Sequence, residues 1–309
     1  TDFGSGQLDV IADVEQRGAF VPVIADHHQP ADATTTYHLN PLLVGIDGAS
    51  ELSGAGAAYV LARALEADGV DNRDLAALAV VGAVGDMQAS DGALVGANRD
   101  IVAEGVAAGA LVEGTDLAVY GTQTRPLPKL LEFAGDVPVP GVTGDRDGAL
   151  RFLDDLDVPL KGEDGWRRWV DLTDDEKQTV ASALVQREKV ARLVGTTYLL
   201  ADEAPGTELR DASEFSTLLN ATARYERADV GLAVCLGDRG PALERARGLL
   251  TEHRRNLSAG VDLVEEEGVE RGEHVQWFHA GDRIRETIVG IVAGMAIGAD
   301  GVSRQRPIV

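Results

Sequence analysis

The sequence predicts an α/β fold: a mainly parallel sheet flanked by helices, followed by a second, smaller α/β domain. Short apolar runs such as FVPVIA (20–25) alternate along the chain with segments of helical apolar spacing such as LDVIADVEQ (8–16). This alternation is typical of parallel sheets covered by helices. The chain has 309 residues, of which 44% are hydrophobic, so it can bury a core of this size.

Taken in order, the apolar pattern predicts further elements along the whole chain. After the first strand we expect helices over 57–67, 75–87 and 96–109, the strand LAVYG (117–121) and a loop running into a short helix in RPLPKLLEFAG (125–135). Beyond these we expect a helix over 174–194, a strand at VGLAVCLG (230–237), a helix over 241–266, a strand at HVQWFHA (274–280) and a buried helix over 283–298.

The residue composition changes near residue 136, where GDVPVPGVTGDRDG is rich in turn-forming residues. We therefore expect three parts: 1–135 as a first domain, 136–195 as an irregular linker or insert with a connecting helix, and 196–309 as a second, incomplete α/β domain. The first residues, TDFGSG, lack a lead-in strand, and the last, RQRPIV, read as the start of one. This favours a chain truncated at both ends, with a processed chain as the alternative.

The charge balance is strongly acidic, with 51 acidic against 28 basic residues and a net charge of −23. Only four of the basic residues are lysines, a composition typical of a halophile's cytoplasm, where salt screens self-repulsion. An acidic surface normally argues against a nucleic-acid partner. The argument against nucleic acid is weaker in a halophilic protein, because there the acidic composition is an adaptation to salt. Binding of nucleic acid then depends on whether arginines lie near the site.

The number of cysteines and the length of the apolar stretches exclude disulfide-rich and membrane-spanning proteins. The single cysteine excludes a disulfide within the chain and a zinc–thiolate cluster. The longest apolar stretch, IVGIVAGMAIGA (288–299), is too short to span a bilayer, and no signal peptide is recognised. We expect a cytoplasmic protein without a membrane partner.

Acidic and imidazole side chains recur near the predicted ends of strands and helices. Asp2 lies in TDFGSG, Asp26, His27 and His28 lie in ADHHQP, and Asp86 lies in GAVGDMQ. Polar groups at the carboxyl ends of parallel strands lie where α/β proteins bind ligands. Carboxylates with one or two imidazoles suit Mn²⁺, Mg²⁺ or iron. Taken singly, each residue also fits a helix cap or a polar turn.

The segments IADHHQP, TDFGSG, VVGAVGDMQ and GANRDIV together resemble the DHH phosphoesterase family. Within it the chain is similar to the RecJ-like single-strand exonucleases, particularly the archaeal ones, which include the GINS-associated nuclease. The resemblance covers most of residues 1–110 in the correct order. It implies that 1–135 is a DHH domain without its acid-rich first motif, and that 196–309 is a substrate-binding-type domain without the family's glycine–histidine motif.

The resemblance also implies roles for the five residues and a pair of Mn²⁺ ions, with Mg²⁺ as the alternative. Asp2 would bridge the two ions, and His27 and Asp86 would complete the ligands of the second ion. Asp26 would orient His27, and His28 would face the scissile phosphate. Two adjacent ions can activate a water and stabilise the attacking and leaving oxygens of a phosphoryl displacement.

Three further side chains are candidates for binding a nucleic-acid substrate. Arg99 follows Asp86 at the start of a predicted helix, where it could contact a phosphate or cap its own turn. Arg224 and Tyr225 lie in TARYER, where an arginine could contact a phosphate and a tyrosine could stack on a base.

The expected function is metal-dependent phosphodiester hydrolysis, as a 5′→3′ exonuclease on single-stranded DNA or RNA in repair or replication. Replisome components of the GINS type are expected as further partners. One alternative is a phosphoesterase of small nucleotides, such as cyclic dinucleotides, short oligonucleotides or phosphoadenosine phosphate. A long groove would favour the exonuclease and a closed pocket the small substrate. The other alternative is a replisome scaffold without catalysis.

Overall fold

The computed structural model describes residues 1–90, 92–134, 138–163, 165–188, 193–299 and 301–309. The chain forms two compact units, Thr1–Ser216 and Thr217–Val309, called the first and second unit below. The boundary expected at 135–136 lies outside the described residues. The expected division into 1–135, 136–195 and 196–309 therefore remains a prediction.

The first half of the first unit places two parallel strands beside helices. Its elements are α1 (Leu8–Gln16), β1 (Val23–Ala25), β2 (Tyr37–Leu39), α2 (Gly54–Ala64), α3 (Ala76–Gly85), the hairpin β3 (Ala89–Ser90) and β4 (Ala93–Leu94), and α4 (Gly96–Ala107). β1 and β2 pair in parallel, with Ile24 opposite His38. α3 is apolar nearly all round because it packs against both α2 and α4. All four predicted helices of this half are confirmed, with ends shifted by three residues or fewer.

The described residues of the rest of the first unit form a long antiparallel strand pair and four helices. Its elements are β5 (Leu111–Leu117), α5 (Leu127–Glu132), α6 (Arg146–Asp154), β6 (Lys161–Gly162), β7 (Gly165–Trp166), α7 (Asp174–Glu188), β8 (Val194–Leu200) and the start of α8 (Ala212–Arg224). The strand predicted at 117–121 is wrong, because β5 ends at Leu117. β5 has polar residues between its two buried ends and is stabilised by pairing with β8 along its whole length, which apolar periodicity cannot detect.

The segment that the sequence describes as irregular contains helices and a hydrophobic core. Asp145 caps α6 by accepting a hydrogen bond from the backbone N–H of Gly148 over 2.9 Å. Ala149, Phe152 and Leu153 form the buried face of α6, and they pack in a cluster that includes Trp169. The narrow apolar face between charged residues explains why α6 was not predicted. Of the helix predicted over 174–194, residues 189–192 lie outside the described residues.

The second unit is mainly helical. It contains the end of α8, α9 (Ala228–Cys235), α10 (Pro241–Glu267), the hairpin β9 (Glu270–Arg271) and β10 (Gln276–Trp277), and α11 (Glu286–Ala296). The strand predicted at 230–237 is wrong, because this segment is α9. Val230 and Val234 are buried while Leu232 is exposed, so the buried positions repeat at four residues. The short apolar run VGLAVC is compatible with both helical and strand periodicity, and its burial pattern in the structure is that of a helix.

The α/β class is confirmed, with less parallel sheet than predicted. The described strands form five two-stranded sheets; β1 with β2 is parallel, and the other four are antiparallel. β1 and β2 have three residues each, so the neighbouring helices supply most of the buried side chains around them. Within the described ranges, every helix is too short or too polar to cross a membrane.

Candidate functional site

The end of the parallel strand pair gathers the acidic and imidazole groups. Asp26, His27 and His28 directly follow β1, at the edge where the carboxyl ends of parallel strands meet. The backbone N–H of Asp2 donates to the carbonyl oxygen of Ala25 over 2.7 Å. This bond places Asp2 beside the same edge, so residues from two separate segments meet there.

Three side chains form a compact group of potential metal ligands. Asp2, His27 and His28 each offer a donor atom, and these atoms lie within 4.8 Å of one another. Oδ1 of Asp2 lies 3.2 Å from Nε2 of His27 and 3.9 Å from Nδ1 of His28. One carboxylate and two imidazoles are a donor set that fits a divalent transition ion.

The close approach of Asp2 depends on a glycine at the start of α2. A Cβ on Gly54 would lie 2.0 Å from Oδ1 of Asp2, so no other residue fits there without a shift. Asp2 itself has a φ of 56°, a left-handed conformation that aspartate tolerates better than most residues. The carboxylate therefore lies beside the N-terminal end of α2, where the helix dipole favours negative charge.

The ring of His27 is held by a backbone carbonyl. Nδ1 of His27 lies 2.7 Å from the carbonyl oxygen of Gly48 and donates to it, since a carbonyl only accepts. Nε2 is then unprotonated in the neutral ring and faces Oδ1 of Asp2 at 3.2 Å. Two acceptors at this distance repel each other unless a proton or a cation lies between them. Gly48 must be glycine, because a Cβ there would lie 2.2 Å from the carbonyl oxygen of His27.

The expectation that Asp26 orients His27 is wrong, because its carboxylate holds the ring of His28. Oδ1 of Asp26 accepts from Nδ1 of His28 over 2.7 Å and from the backbone N–H of His27 over 2.8 Å. Oδ2 accepts from the backbone N–H of Ser5 over 2.9 Å. The ring of His27 is instead turned toward Gly48.

These hydrogen bonds shift the pKa of both partners. Burial alone would raise the pKa of Asp26, but the bonds from Ser5, His28 and His27 outweigh it and hold that pKa well below its usual range. The hydrogen bond to Asp26 raises the pKa of His28, with burial acting in the opposite direction. The imidazole of His28 is 60% exposed, so its free edge is accessible to a ligand.

Asp86 lies beside the group and is positioned by two amides. Its Oδ2 is 3.7 Å from Nδ1 of His27, beyond hydrogen-bonding distance. Nε2 of Gln88 donates to this Oδ2 and to the carbonyl oxygen of Gly48, each over 2.9 Å. Nδ2 of Asn98 in turn donates to Oε1 of Gln88 over 2.7 Å. Gln88 therefore links Asp86 to the carbonyl that holds His27.

A second network supports the loop from the side of β2. Nδ2 of Asn40 donates to Oγ of Ser5 over 2.9 Å and to the carbonyl oxygen of His28 over 2.8 Å. Asn40, Ser5 and Gln88 were not among the residues predicted for the site. Asn40 precedes a proline and Gln88 lies two residues after Asp86, which are weak signals that could have been used. Ser5 has no comparable signal.

Each of the three predicted substrate-binding residues contacts other side chains or backbone groups of its own unit. Arg99 forms an ion pair with Glu113. Arg224 belongs to the second unit and donates to the carbonyl oxygen of Thr287 over 3.0 Å. Tyr225, also in the second unit, is only 7% exposed. The predicted base stacking on Tyr225 is wrong, because the ring is buried against neighbouring side chains: His253 at its edge and Arg285 over its face.

Comparison with known sequences gives one family model and one relative. The model described as the DHH-CID domain matches residues 119–197. An uncharacterized protein of Methanocaldococcus jannaschii is 27% identical over 301 residues, which cover 96% of this chain and 62% of the relative. The chain thus spans less than two thirds of the length of that relative.

Comparison with solved structures shows a RecJ-like fold. The crystal structure of CDC45 from Entamoeba histolytica has a TM-score of 0.67 at 11% identity, covering 99% of this chain and 68% of that one. RecJ in complex with Mn²⁺ from Thermus thermophilus has a TM-score of 0.53 at 17% identity, covering 99% and 35%. The exonuclease RecJ bound to manganese has a TM-score of 0.52 at 16% identity, covering 99% and 58%. At these identities the similarity concerns the fold.

Replacing Asp26 by asparagine should lower the pKa of His28, because the bond to this carboxylate is the main cause of its raised pKa. The change should also destabilise the protein by about 1–3 kcal/mol, since the backbone N–H of Ser5 loses its acceptor. NMR titration of the histidine rings in metal-free protein and urea unfolding measure the two effects.

The loss of stability in Asp26→Asn should depend on pH. The low pKa of Asp26 contributes stability above the ordinary pKa of an aspartic acid, and this stability is lost as the pH falls through the pKa of the folded state. The difference between wild type and Asp26→Asn should therefore shrink in acid. Asp9→Asn, at an exposed position of α1, is the matched control. An unchanged pKa of His28 in Asp26→Asn would contradict the assigned hydrogen bond.

Proposed function

We propose that this protein is a metal-dependent phosphodiesterase of the RecJ type, which degrades single-stranded DNA or RNA from the 5′ end in repair or replication. The observation that carries the proposal is the pair of facing acceptors, Nε2 of His27 and Oδ1 of Asp2, 3.2 Å apart. A cation satisfies both. The RecJ-like fold, and the manganese named in two of the matched RecJ structures, support this choice of chemistry.

In this proposal Asp2, His27 and Asp86 hold two Mn²⁺ ions, or Mg²⁺ in their place. Such ions would lower the pKa of a water and neutralise charge on the phosphoryl oxygens. Gly48 and Gln88 keep His27 and Asp86 in place before the ions bind.

His28 has a different task in the same proposal. Its Nδ1 is occupied by Asp26, so Nε2 is the atom that reaches substrate. The raised pKa of His28 favours the protonated ring, which donates a charged hydrogen bond to a phosphate oxygen. Asp26 then acts as a positioning residue for His28, through the hydrogen bond to its Nδ1.

A replisome scaffold without catalysis is the second candidate, and the TM-score of 0.67 with CDC45 favours it. Under this alternative a replisome component of the GINS type would be the partner, and the described acids and imidazoles would have no chemical task. The compact donor group of Asp2, His27 and His28 favours the hydrolase. For both candidate functions we propose that the protein acts in the cytoplasm.

The variant His27→Ala tests the metal role. We expect it to lower Mn²⁺-dependent release of mononucleotides from a 5′-labelled single strand by more than about 100-fold, because even indirect metal contacts contribute up to this factor. The assay uses the full-length protein in high KCl, and circular dichroism verifies the fold. His274→Ala, at an exposed position, is the matched control. Turnover of His27→Ala equal to that of wild type would contradict the proposed centre.

We further propose that the acidic, lysine-poor composition is a halophile adaptation. The midpoint of thermal unfolding should then rise, and activity should appear, between about 0.1 M and 1 M KCl, as the Debye length falls from about 10 Å to 3 Å. Thermal unfolding followed by circular dichroism at each salt concentration measures this. Full stability and activity at about 0.1 M KCl would contradict the adaptation.

A further inference from the structure

A cavity of about 240 Å³ lies within the first unit, next to the candidate centre. Val84 and Ala89 form part of its wall, and Asp86 lies between them in the chain. Since consecutive Cα atoms are 3.8 Å apart, this wall lies within about 11 Å of the backbone of Asp86. This upper limit is on the scale of a single nucleotide with its base, sugar and phosphate.

The lining of the cavity suits a flat heteroaromatic group. β5 and the residues after it contribute apolar surface from Leu117 and Val119, and Tyr120 adds an aromatic side chain. β8 contributes the hydroxyl-bearing residues Thr196 and Thr197. A mainly apolar wall with a few polar groups is typical of small-molecule sites, where the polar groups determine which ligand is accepted.

Asp211 is the acidic residue of this lining, and one of its oxygens lacks a partner. The residue is 9% exposed. Its Oδ1 accepts from the backbone N–H groups of Ser213 over 2.9 Å and Glu214 over 3.1 Å, which caps α8. Among the described residues Oδ2 receives no hydrogen bond. Oδ2 is not one of the buried atoms without a hydrogen bond, so it is accessible at the cavity surface, where a ligand that donates to it can replace water.

We propose that the cavity binds a nucleobase carrying an exocyclic amino group, which donates to Oδ2 of Asp211. Cytosine is the simplest such base, because its N4 amino group is a natural partner of a carboxylate. When the Asp211 carboxyl is ionised, uracil presents a carbonyl oxygen at that position, so two acceptors would face each other. The inference rests on the proposed function and deepens it: the substrate is a nucleotide, free or at the end of a strand, whose base is bound beside the centre that receives its phosphate.

Cytidine and uridine are the probes, because without a phosphate they report on the cavity alone. Isothermal titration calorimetry on the metal-free, full-length protein should give a dissociation constant about tenfold lower for cytidine, within the range expected for one base-edge contact. Equal affinities for the two nucleosides, or no binding of either, would overturn the proposal.

Two variants locate the binding. Asp211→Asn keeps the cap on α8 through its amide oxygen and turns an NH₂ group toward the base, so the preference should reverse in favour of uridine. Ala118→Phe fills the cavity from an exposed position of its lining and should abolish binding of both nucleosides. Asp229→Asn, at an exposed position of α9, is the matched control and should bind like wild type. Cytidine selectivity that persists in Asp211→Asn would overturn the assignment.

A parallel assay separates this inference from the proposed function. Mn²⁺-dependent hydrolysis of a single strand is measured on the same preparations. Cytidine selectivity without hydrolysis would contradict the proposed function and leave the cavity assignment standing. Hydrolysis without any preference between cytidine and uridine would overturn the cavity assignment alone.

Discussion

The candidate centre depends on the buried carboxylate of Asp26, which is 1% exposed and accepts four hydrogen bonds. A buried charge is tolerated only when it is fully paired, so the surrounding chain must present its donors here. The backbone N–H groups of His27 and His28 and the ring of His28 supply three of these bonds, and Ser5 supplies the fourth. One carboxylate thus folds the loop after β1 and ties to it the segment that carries Asp2.

The same arrangement leaves Nε2 of His27 and Oδ1 of Asp2 facing each other as two acceptors. Asp2 and Asp86 place two carboxylates around the ring of His27, whose Nδ1 is already committed to Gly48. The close packing that brings them together requires glycine at 54, beside Asp2. Under the proposed function, a divalent cation would satisfy both Nε2 of His27 and Oδ1 of Asp2. His28, held apart by Asp26, stays available for a substrate.

The sequence predicted the helices around the centre and the residues that meet there, because long apolar periodicity and the short DHH segment are local signals. It could not assign Asp26 to His28 rather than His27, since the choice depends on a distant carbonyl at Gly48. The sequence predicted an exposed Tyr225 that stacks on a base, because the side chains of α10 and of the segment before α11 that bury it are distant in the chain. The segment that forms α9 was predicted as a strand, because a six-residue apolar run is compatible with both helical and strand periodicity.

Binding of Mn²⁺ to the variant Gly54→Ala tests whether Asp2 and His27 hold a metal ion. A methyl group at this position would displace the carboxylate of Asp2, whereas alanine in a helix otherwise stabilises it relative to glycine. We expect electron paramagnetic resonance titration to show Mn²⁺ binding at least about tenfold weaker than in wild type, the lower range for disturbed metal contacts, with helix content unchanged. Mn²⁺ affinity equal to that of wild type would contradict a metal centre built on Asp2 and His27.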